Sequence, residues 1–118
     1  MAPLSAETTA RIAAQAALEK RADRLVVLDV QGLSGVADYF VIGSGGSTTQ
    51  VDAIAEAVRA ALKAAGVRPR HREGTAESGW LLLDYGDVVV HVFTGLTRDF
   101  YSLERLWGDA PLLAVEHS

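Results

Sequence analysis

The sequence predicts one α/β domain over residues 1–118, with the element order αββαβββα and a mixed five-stranded sheet flanked by helices. Short apolar runs that end at glycines are typical of strands. A strongly amphipathic helix lies between the second and third of these runs, so it returns the chain across the sheet and makes some neighbouring strands parallel. With 118 residues, of which 49% are hydrophobic, the chain is long enough to form one core.

Two helices are predicted in the first half of the chain. The first runs from Ser5 to about Arg21 and is rich in alanine, so we expect a peripheral helix with little to bury. Its candidate buried residues are Ile12, Ala13, Ala16 and Leu18. The second helix follows a capping box formed by Ser47 and Gln50, and it ends at Gly66. Its apolar face consists of Val51, Ile54, Ala55, Val58, Leu62 and Ala65.

Five strands and a last helix complete the predicted order. The strands are expected at residues 24–32, 37–45, 67–73, 79–84 and 87–93. Thr97 then caps a helix that ends at Gly108. The residues that share one face of this helix are Phe100, Leu103, Leu106 and Trp107.

The hairpin formed by the last two strands separates its side chains into two faces. With Tyr85 and Gly86 as a two-residue turn, Asp84 opposes Asp87, and Trp80 opposes His91. The aliphatic face consists of Leu81, Leu83, Val88, Val90 and Val92 and packs under the helices. The mixed face consists of Trp80, Leu82, Asp84, Asp87, Val89, His91 and Phe93; it is open or partly covered and is the candidate working surface. A bulged three-residue turn would shift this register.

The two aspartates of this hairpin suggest several roles. Directly opposed like charges are unfavourable, so Asp84 and Asp87 need an arginine of this chain, a cation of a partner or a metal, unless they are solvated turn residues. A metal site would need more converging ligands, and His91 lies two pairs further along. No nucleophile accompanies His91. We therefore predict no metal and no catalytic residue.

Composition restricts the class of protein. The chain has no cysteine, and its apolar runs are far shorter than the roughly 20 residues that span a bilayer. Its N-terminal residues match neither a secretory signal nor a transit peptide, so we expect a cytoplasmic protein without a membrane contact.

Charge restricts the class of partner. Residues 73–118 carry two arginines against eight acidic residues, which favours a basic protein partner and opposes binding to nucleic acid. Residues 63–72 are basic, and a charged edge strand protected from aggregation is the simpler interpretation. We therefore predict no dedicated nucleic-acid site.

The glycine-rich segment from Gly43 to Ser47 suggests an alternative function. It follows a strand and precedes a helix, where backbone amides can hold a phosphate. A nucleotide-binding or nucleotidyltransferase-type enzyme would combine this loop with magnesium on Asp84 and Asp87. Those acids lie across a turn instead of alternating along one strand, and the loop lacks the lysine of a P-loop. We therefore favour a tight turn, a protein that is not an enzyme, and no cofactor.

The sequence resembles the ribosomal silencing factors, or Iojap-like proteins, from about Leu28 to Leu113. The segments that carry the resemblance are "LDVQGLSGVADYFVIGSGGSTTQVDAIAE", "EG" at residues 73–74, "WLLLDYGDVVVHVF" and "RDFYSLERLWGDAPLL". The resemblance implies a fold similar to a nucleotidyltransferase sheet without its active site. It also implies binding to ribosomal protein uL14 on the large subunit, which blocks joining of the small subunit and represses translation under nutrient limitation.

The resemblance also implies which residues contact the partner. In the hairpin these are Trp80, Asp84, Tyr85, Gly86, Asp87 and His91. In the last helix they are Tyr101, Leu103, Glu104, Leu106 and Trp107. For Leu106 and Trp107, burial in the core is an equally valid interpretation, because an amphipathic helix must bury that face. Family members often form homodimers, so we also expect a weak homodimer through the mixed face in the absence of ribosomes.

Overall fold

A computed structural model describes residues 4–33, 35, 37–95, 97–98 and 110–113 of the chain. Its elements are α1 (Ala6–Glu19), β1 (Asp23–Asp29), β2 (Tyr39–Gly45), α2 (Thr48–Ala64), β3 (His71–Thr75), β4 (Trp80–Asp84) and β5 (Val88–Thr94). The predicted order is confirmed through its seventh element. Gly95, Thr97 and Arg98 are helical, and the remainder of the predicted last helix lies outside the described residues.

The strands form one mixed sheet in the spatial order β1-β2-β5-β4-β3. The central pair β2 and β5 is parallel, whereas β1–β2, β5–β4 and β4–β3 are antiparallel. Helices α1 and α2 pack on one side of this sheet and on each other. The predicted mixed five-stranded sheet is therefore confirmed. None of the described helices is long and apolar enough to cross a membrane.

Helix α1 is part of the core, and the prediction of a peripheral helix is wrong. Its buried residues are Thr9, Ala10, Ala13, Ala14, Ala16 and Ala17, whereas Ile12 and Leu18 are only partly buried. Small side chains let the helix approach its neighbours closely, so a face made mostly of alanines packs on α2, β1 and β2.

Helix α2 begins at the predicted capping position. The Ser47 hydroxyl accepts a hydrogen bond from the backbone N–H of Gln50 at 3.1 Å. The Gln50 side chain accepts from Gly46 N–H at 2.7 Å, so the return bond goes to Gly46 and not to Ser47 as in a regular capping box. Gln50 also donates to the carbonyls of Lys20 and Arg21, at 3.3 and 3.1 Å. One side chain therefore joins the start of α2 to the end of α1.

The predicted starts of β3 and of the last helix are wrong. The N–H groups of Gly66 and Val67 bond to the carbonyls of Lys63 and Leu62, at 2.9 and 2.8 Å, and so close α2. Strand β3 consequently begins at residue 71 and not at residue 67. Likewise, Gly95 is already helical, so Thr97 lies inside the last helix and does not cap it.

The two edges of the sheet differ. Along β1, Asp29 N–H donates to the carbonyl of Pro111 at 2.8 Å, and Leu113 N–H donates to that of Val27 at 2.9 Å. Residues 111–113 thus cover this edge. At the opposite edge all five residues of β3 are exposed, and β4 is its only strand neighbour within the described part of the chain.

Candidate docking surface on the sheet

The turn between β4 and β5 consists of Gly86 and Asp87. Tyr85 N–H donates to the carbonyl of Val88 at 2.8 Å, which closes a two-residue loop. Gly86 has a φ of 89°, whereas Asp87 has no positive φ, and this combination is typical of a type II′ turn with glycine in first position. The predicted Tyr85–Gly86 turn is therefore wrong.

The correct turn moves the pairing of the strands by two residues and preserves the two faces. Trp80 opposes Phe93, Leu82 opposes His91, and Asp84 opposes Val89. The predicted Trp80–His91 and Asp84–Asp87 pairs are therefore wrong. Because side chains alternate with a period of two, a shift of two leaves each strand residue on its predicted face. Asp87 is the exception: it lies in the turn and lines a cleft with Arg68, Tyr85 and Val88. The aliphatic face is fully covered by α1 and α2, as predicted.

The two aspartates are not forced together by this register. Asp84 accepts a hydrogen bond from Gly86 N–H at 2.7 Å, so its carboxylate stabilises the turn. Asp87 is exposed in the turn itself, and its carbonyl accepts from the N–H groups of Asp38 and Tyr39, at 2.7 and 3.1 Å. Their predicted direct repulsion across the strands is therefore removed.

Arg70 supplies a cation of this chain beside the same turn. A Cβ placed on Gly86 would lie 3.1 Å from Arg70 Nη1 and 3.2 Å from its Cδ, so the arginine packs across the turn. Arg70, His71, Asp84 and Gly86 line one open cleft of about 300 Å³. An arginine of this chain therefore lies beside the turn, but among the described residues it makes no ion pair with Asp84 or Asp87.

Burial on the mixed face decreases from the centre of the sheet towards β3. Phe93 is fully buried and His91 is 5% exposed. Trp80, Leu82 and Asp84 on the next strand are half-buried. A shallow groove of about 240 Å³ lies beside them, lined by Glu73, Gly74, Trp80 and Leu82. The accessible part of the mixed face is therefore its β3–β4 end.

Trp80 is held in place by two ring neighbours on β5. Its indole Nε1 donates a hydrogen bond to His91 Nδ1 at 3.1 Å, and the ring centroids of Trp80 and His91 are 5.8 Å apart. The Trp80 ring also packs on Phe93, with 5.1 Å between centroids. Phe40 meets His91 edge-on at 5.1 Å from the other side. The half-buried indole is therefore presented in one orientation.

His91 acts on this surface through Trp80. Burial lowers the pKa of the imidazole to about 4, so it is neutral at pH 7. Since Nδ1 accepts from the indole, the hydrogen bond assigns the proton to Nε2, which has no hydrogen-bond partner in the described structure. A buried neutral ring with one nitrogen engaged positions Trp80 and offers little surface for direct contact.

The other predicted contact residues are distributed differently. Tyr85 belongs to the cluster beneath the helices, and its buried hydroxyl has no hydrogen-bond partner among the described residues. Burial raises the pKa of this hydroxyl, which the charge of Arg59 partly offsets. Tyr85 is thus separated from Trp80 and Asp84 by the sheet. The predicted last-helix contacts, Tyr101, Leu103, Glu104, Leu106 and Trp107, lie outside the described residues.

Two residues of the groove were not among the predicted contacts. Glu73 and Leu82 are direct cross-strand partners on β3 and β4. The carboxylate of Glu73 meets His71 Nε2 at 2.9 Å on the exposed strand. The "HREGT" sequence of β3 does not alternate between apolar and polar residues, so the pattern could not predict which face Glu73 lies on or how β3 pairs with β4. The only indication of a role for Glu73 in the sequence was the resemblance to the family at residues 73–74.

The glycine-rich segment 43–47 is occupied by contacts within the protein. Gly46 N–H and the Ser47 hydroxyl are both bonded to Gln50. A Cβ placed on Gly45 would lie 2.9 Å from the backbone nitrogen of Val51, so the loop lies directly on the first turn of α2. Two of the amides that a bound phosphate would use at this helix start, those of Gly46 and Gln50, are therefore already bonded within the protein.

The two parts of the site that the enzyme alternative needs also lie far apart. In the parallel pair of β2 and β5, Tyr39 lies beside Val88, and Gly45 lies beside Thr94. The aspartate turn thus adjoins the start of these strands and the glycine loop their end. Six residues of strand separate the two by about 20 Å. A phosphate on the loop would not reach a metal on Asp84 and Asp87. No group of three or more acids and histidines among the described residues could hold a metal ion.

Arg98 is a buried cation that the sequence did not distinguish from surface arginines. It is 2% exposed, and its Nη1 donates to the Ser44 hydroxyl at 2.9 Å and to the Asp23 carbonyl at 3.2 Å. Ser44 is itself buried. Arg98 therefore joins the first turn of the last helix to β1 and β2. No motif or spacing accompanies it in the sequence.

Comparisons with known proteins identify the family. A family model described as ribosomal silencing factor during starvation matches residues 3–118. The chain is 47% identical over 106 residues to a Bacillus subtilis protein named ribosomal silencing factor RsfS, with 90% of both chains covered. It is 40% identical to a protein of the same name from Halalkalibacterium halodurans, covering 96% of this chain and 97% of that one. The crystal structure of a Chromobacterium violaceum protein has a TM-score of 0.85 at 34% identity, covering 98% of this chain and 97% of that one.

Proposed function

The chain belongs to the ribosomal silencing factor family, and from this premise we propose that it binds ribosomal protein uL14 on the large subunit and prevents joining of the small subunit. The observation that carries the proposal is the half-buried Trp80, fixed in one orientation by His91 and flanked by carboxylates on an otherwise buried sheet face. Such an aromatic anchor with a charged rim is the arrangement that binding hot spots use.

The proposed docking surface consists of Trp80, Leu82, Glu73, Asp84 and Asp87. The indole and Leu82 supply an apolar centre beside the groove. Glu73 borders this groove, Asp84 lies further along β4 on the same face, and Asp87 lies in the adjoining turn. Their carboxylates complement the lysines and arginines of a basic ribosomal protein, which favours fast and specific association. His91 contributes by positioning Trp80. The predicted contacts of the last helix extend this surface in the proposal, and Tyr85 does not form part of it.

The proposed action is steric and needs no chemical step. The domain measures 39 × 31 × 29 Å. A body of this size on the face where the subunits meet would occupy space that the small subunit needs. This obstruction represses translation, and in the proposal it does so under nutrient limitation. The protein then acts in the cytoplasm, together with the ribosomes.

A weak homodimer through the same surface remains part of the proposal. The exposed apolar part is limited to Trp80 and Leu82, because His91 and Phe93 are buried. A small apolar patch favours only weak self-association. Light scattering from micromolar to sub-micromolar concentration should show a dimer that dissociates on dilution; a strict monomer at the highest concentration would contradict it.

The direct test compares two charge-matched double variants. Asp84→Asn with Asp87→Asn removes two carboxylates from the docking surface, and the amide oxygen introduced at position 84 can still accept from Gly86 N–H. Glu19→Gln with Asp52→Asn removes two exposed carboxylates from the helical side of the protein. Binding is measured by co-sedimentation with isolated large subunits, and inhibition by formation of whole ribosomes from subunits.

The docking-surface variant should bind large subunits about threefold to tenfold more weakly, since each exposed charge pair contributes up to about 1 kcal/mol. Its binding should also depend less on salt, and inhibition of subunit joining should decrease in parallel. The control should bind and inhibit like the unmodified protein. Failure of the unmodified protein to bind large subunits, or an equal loss in both variants, would contradict the proposal.

A further inference from the structure

A second charged surface lies on the other side of the sheet. Residues 59–72 contain five of the eleven lysines and arginines of the chain and no aspartate or glutamate. Four of these cations form what we call the basic corner: Arg59, Lys63, Arg68 and Arg72. All four are exposed. In a protein whose formal net charge is −4, this concentration of positive charge is local and opposes the overall sign.

The fold brings these cations together from two elements. Arg59 and Lys63 lie on α2, and Arg68 lies between α2 and β3. Arg72 pairs with Leu83 in the sheet, so it is on the side that the helices cover and faces the flank of α2. Glu56 on α2 lies close to three of the cations: the hydrogen bond from Arg59 lowers its pKa most, followed by the charges of Arg59, Arg72 and Lys63.

Most of this positive charge is not neutralised within the protein. Arg59 pairs with Glu56 at 2.9 Å. In the part of the chain that the structure describes, Lys63, Arg68 and Arg72 make no ion pair. Glu73, the next acid along the chain, is occupied by His71 on the mixed face. The basic corner therefore presents about three uncompensated cations to an external anion.

Protection of an edge strand does not account for this cluster. A charged residue on β3, such as Arg72, discourages pairing with another strand. Arg59 and Lys63 are on a helix and have no edge to protect. Three of the four cations are arginines, whose planar guanidinium matches two oxygens of a phosphate. The chemistry of the cluster is thus that of a phosphate-binding surface.

We propose that the basic corner binds the phosphate backbone of RNA next to the protein that the docking surface contacts. The inference rests on the proposed function, because a ribosomal subunit is what brings RNA to this chain. On β3, Arg72 and Glu73 point to opposite sides of the sheet, so the exposed strand lies between the Arg72 part of the basic corner and the Glu73 part of the docking surface. Beside the β4–β5 turn the two surfaces adjoin, since Arg68 and Asp87 line one cleft. A binding site that surrounds this edge contacts protein on one side and RNA on the other. Phosphate contacts of this kind fix orientation and carry no sequence preference.

The test uses two triple variants that change charge equally. Lys63→Gln, Arg68→Gln and Arg72→Gln remove cations of the basic corner that have no ion pair and leave Arg59 with Glu56. The control is Arg11→Gln, Lys20→Gln and Arg24→Gln, which removes three exposed cations from α1, its C-cap and β1. Circular dichroism should show that both fold. The probes are a fluorescent RNA hairpin of about 20 base pairs and isolated large subunits, each titrated over a range of potassium chloride.

The unmodified protein and the control should bind the hairpin weakly at low salt, and the basic-corner variant should bind at least tenfold more weakly. Its salt dependence, as the slope of log K against log[salt], should be smaller by about 2, since each lost phosphate contact contributes about 0.7 to 0.9. Equal affinity and slope in both variants would overturn the inference, as would binding to phosphatidylglycerol vesicles without binding to RNA. If the unmodified protein binds the hairpin through these residues and fails to bind large subunits, the proposed function fails; the basic corner then binds RNA, but its placement beside a docked ribosomal protein is overturned.

Discussion

Strand β4 shows two different surfaces within five residues. On the aliphatic face, Leu81 and Leu83 are completely buried under two helices. On the mixed face, Trp80, Leu82 and Asp84 are half-buried and border an open groove. Neighbouring residues of one strand therefore differ in role: the first set holds the fold together, and in the proposed function the second set supplies an anchor and charges to a partner.

The difference separates stability from recognition in a way that single substitutions can measure. The aliphatic face contains leucine and valine, and its partners are α1 and α2. The mixed face also carries polar side chains. Trp80 Nε1 and the Asp84 carboxylate form hydrogen bonds within the protein, whereas the buried His91 Nε2 has no partner among the described residues. Substitutions on the first face should change unfolding, and those on the second should change binding.

The largest effect is expected for adjacent leucines on the two faces. Leu81→Ala should lower the free energy of unfolding by about 2–5 kcal/mol, because it leaves a cavity in a fully buried site. Leu82→Ala removes a half-buried side chain and should cost only about 1 kcal/mol. Urea denaturation of both variants measures the difference. Equal losses of stability would show that the two faces contribute alike.

The second effect is the pH dependence caused by His91. Its pKa of about 4 in the folded protein lies below the unfolded value near 6.5, so between these pH values only the unfolded chain binds the proton. The neutral imidazole therefore contributes its full stabilisation above pH 6.5, and this stabilisation is lost as the pH falls to 4. Lowering the pH from 7 to 5 should reduce the free energy of unfolding by about 2 kcal/mol.

Two histidine variants isolate this contribution. His91→Phe should remove this part of the pH dependence, at the cost of an unpaired indole N–H on Trp80. His71→Gln, at an exposed position, is the control and should retain it. Denaturation midpoints measured across the pH range decide between them; an unchanged profile in His91→Phe would mean that the buried imidazole does not titrate as described.

The third effect concerns the cap of α2 on the helical side. Ser47→Ala should reduce stability by roughly 1 kcal/mol, the usual cost of a lost cap. Binding to large subunits should be unchanged, because the loop serves the fold. Thermal unfolding and co-sedimentation together check this. Lost binding with an unchanged melting temperature would make the glycine loop a binding element.

The smallest stability effect is expected at Asp84. Asp84→Ala removes the acceptor of the Gly86 N–H and should cost about 0.5–1.5 kcal/mol. Asp84→Asn can keep that bond and should be close to neutral for folding while it weakens binding to large subunits. Melting temperatures of the two variants measure this. If Asp84→Asn raised the melting temperature, repulsion between Asp84 and Asp87 would outweigh the hydrogen bond to Gly86 N–H, as the predicted Asp84–Asp87 pairing implied.

The faces were predictable from the sequence, whereas the register was not. Alternation of apolar and polar residues assigns each side chain to a face, but it is unchanged by a shift of two residues. The turn decides between such registers, and a glycine with positive φ in first position selected Gly86–Asp87 over Tyr85–Gly86. The same parity places Tyr85 on the aliphatic side, against its predicted contact role.

Other features depend on partners that are distant in sequence. The buried face of α1 consists mostly of alanines, and such small side chains are buried only where a neighbouring element packs closely against them. The burial of Arg98 depends on Ser44 and Asp23 from two other strands. The neutral state of His91 depends on its surroundings, since nothing near it in sequence excludes a proton. Local sequence patterns therefore predicted the helices and strands, whereas the geometry of the site depends on how these elements pack together.

In the proposed function, the mixed face recognises the large subunit and the aliphatic face does not. The most direct measurement is the dissociation constant for isolated large subunits of Trp80→Ala and Leu81→Ala, at a temperature where both are folded. Trp80→Ala should bind about thirtyfold more weakly or worse, the effect of losing an aromatic anchor worth at least about 2 kcal/mol. Leu81→Ala should bind like the unmodified protein per folded molecule. Unchanged binding by Trp80→Ala, or an equal loss in Leu81→Ala, would contradict the account.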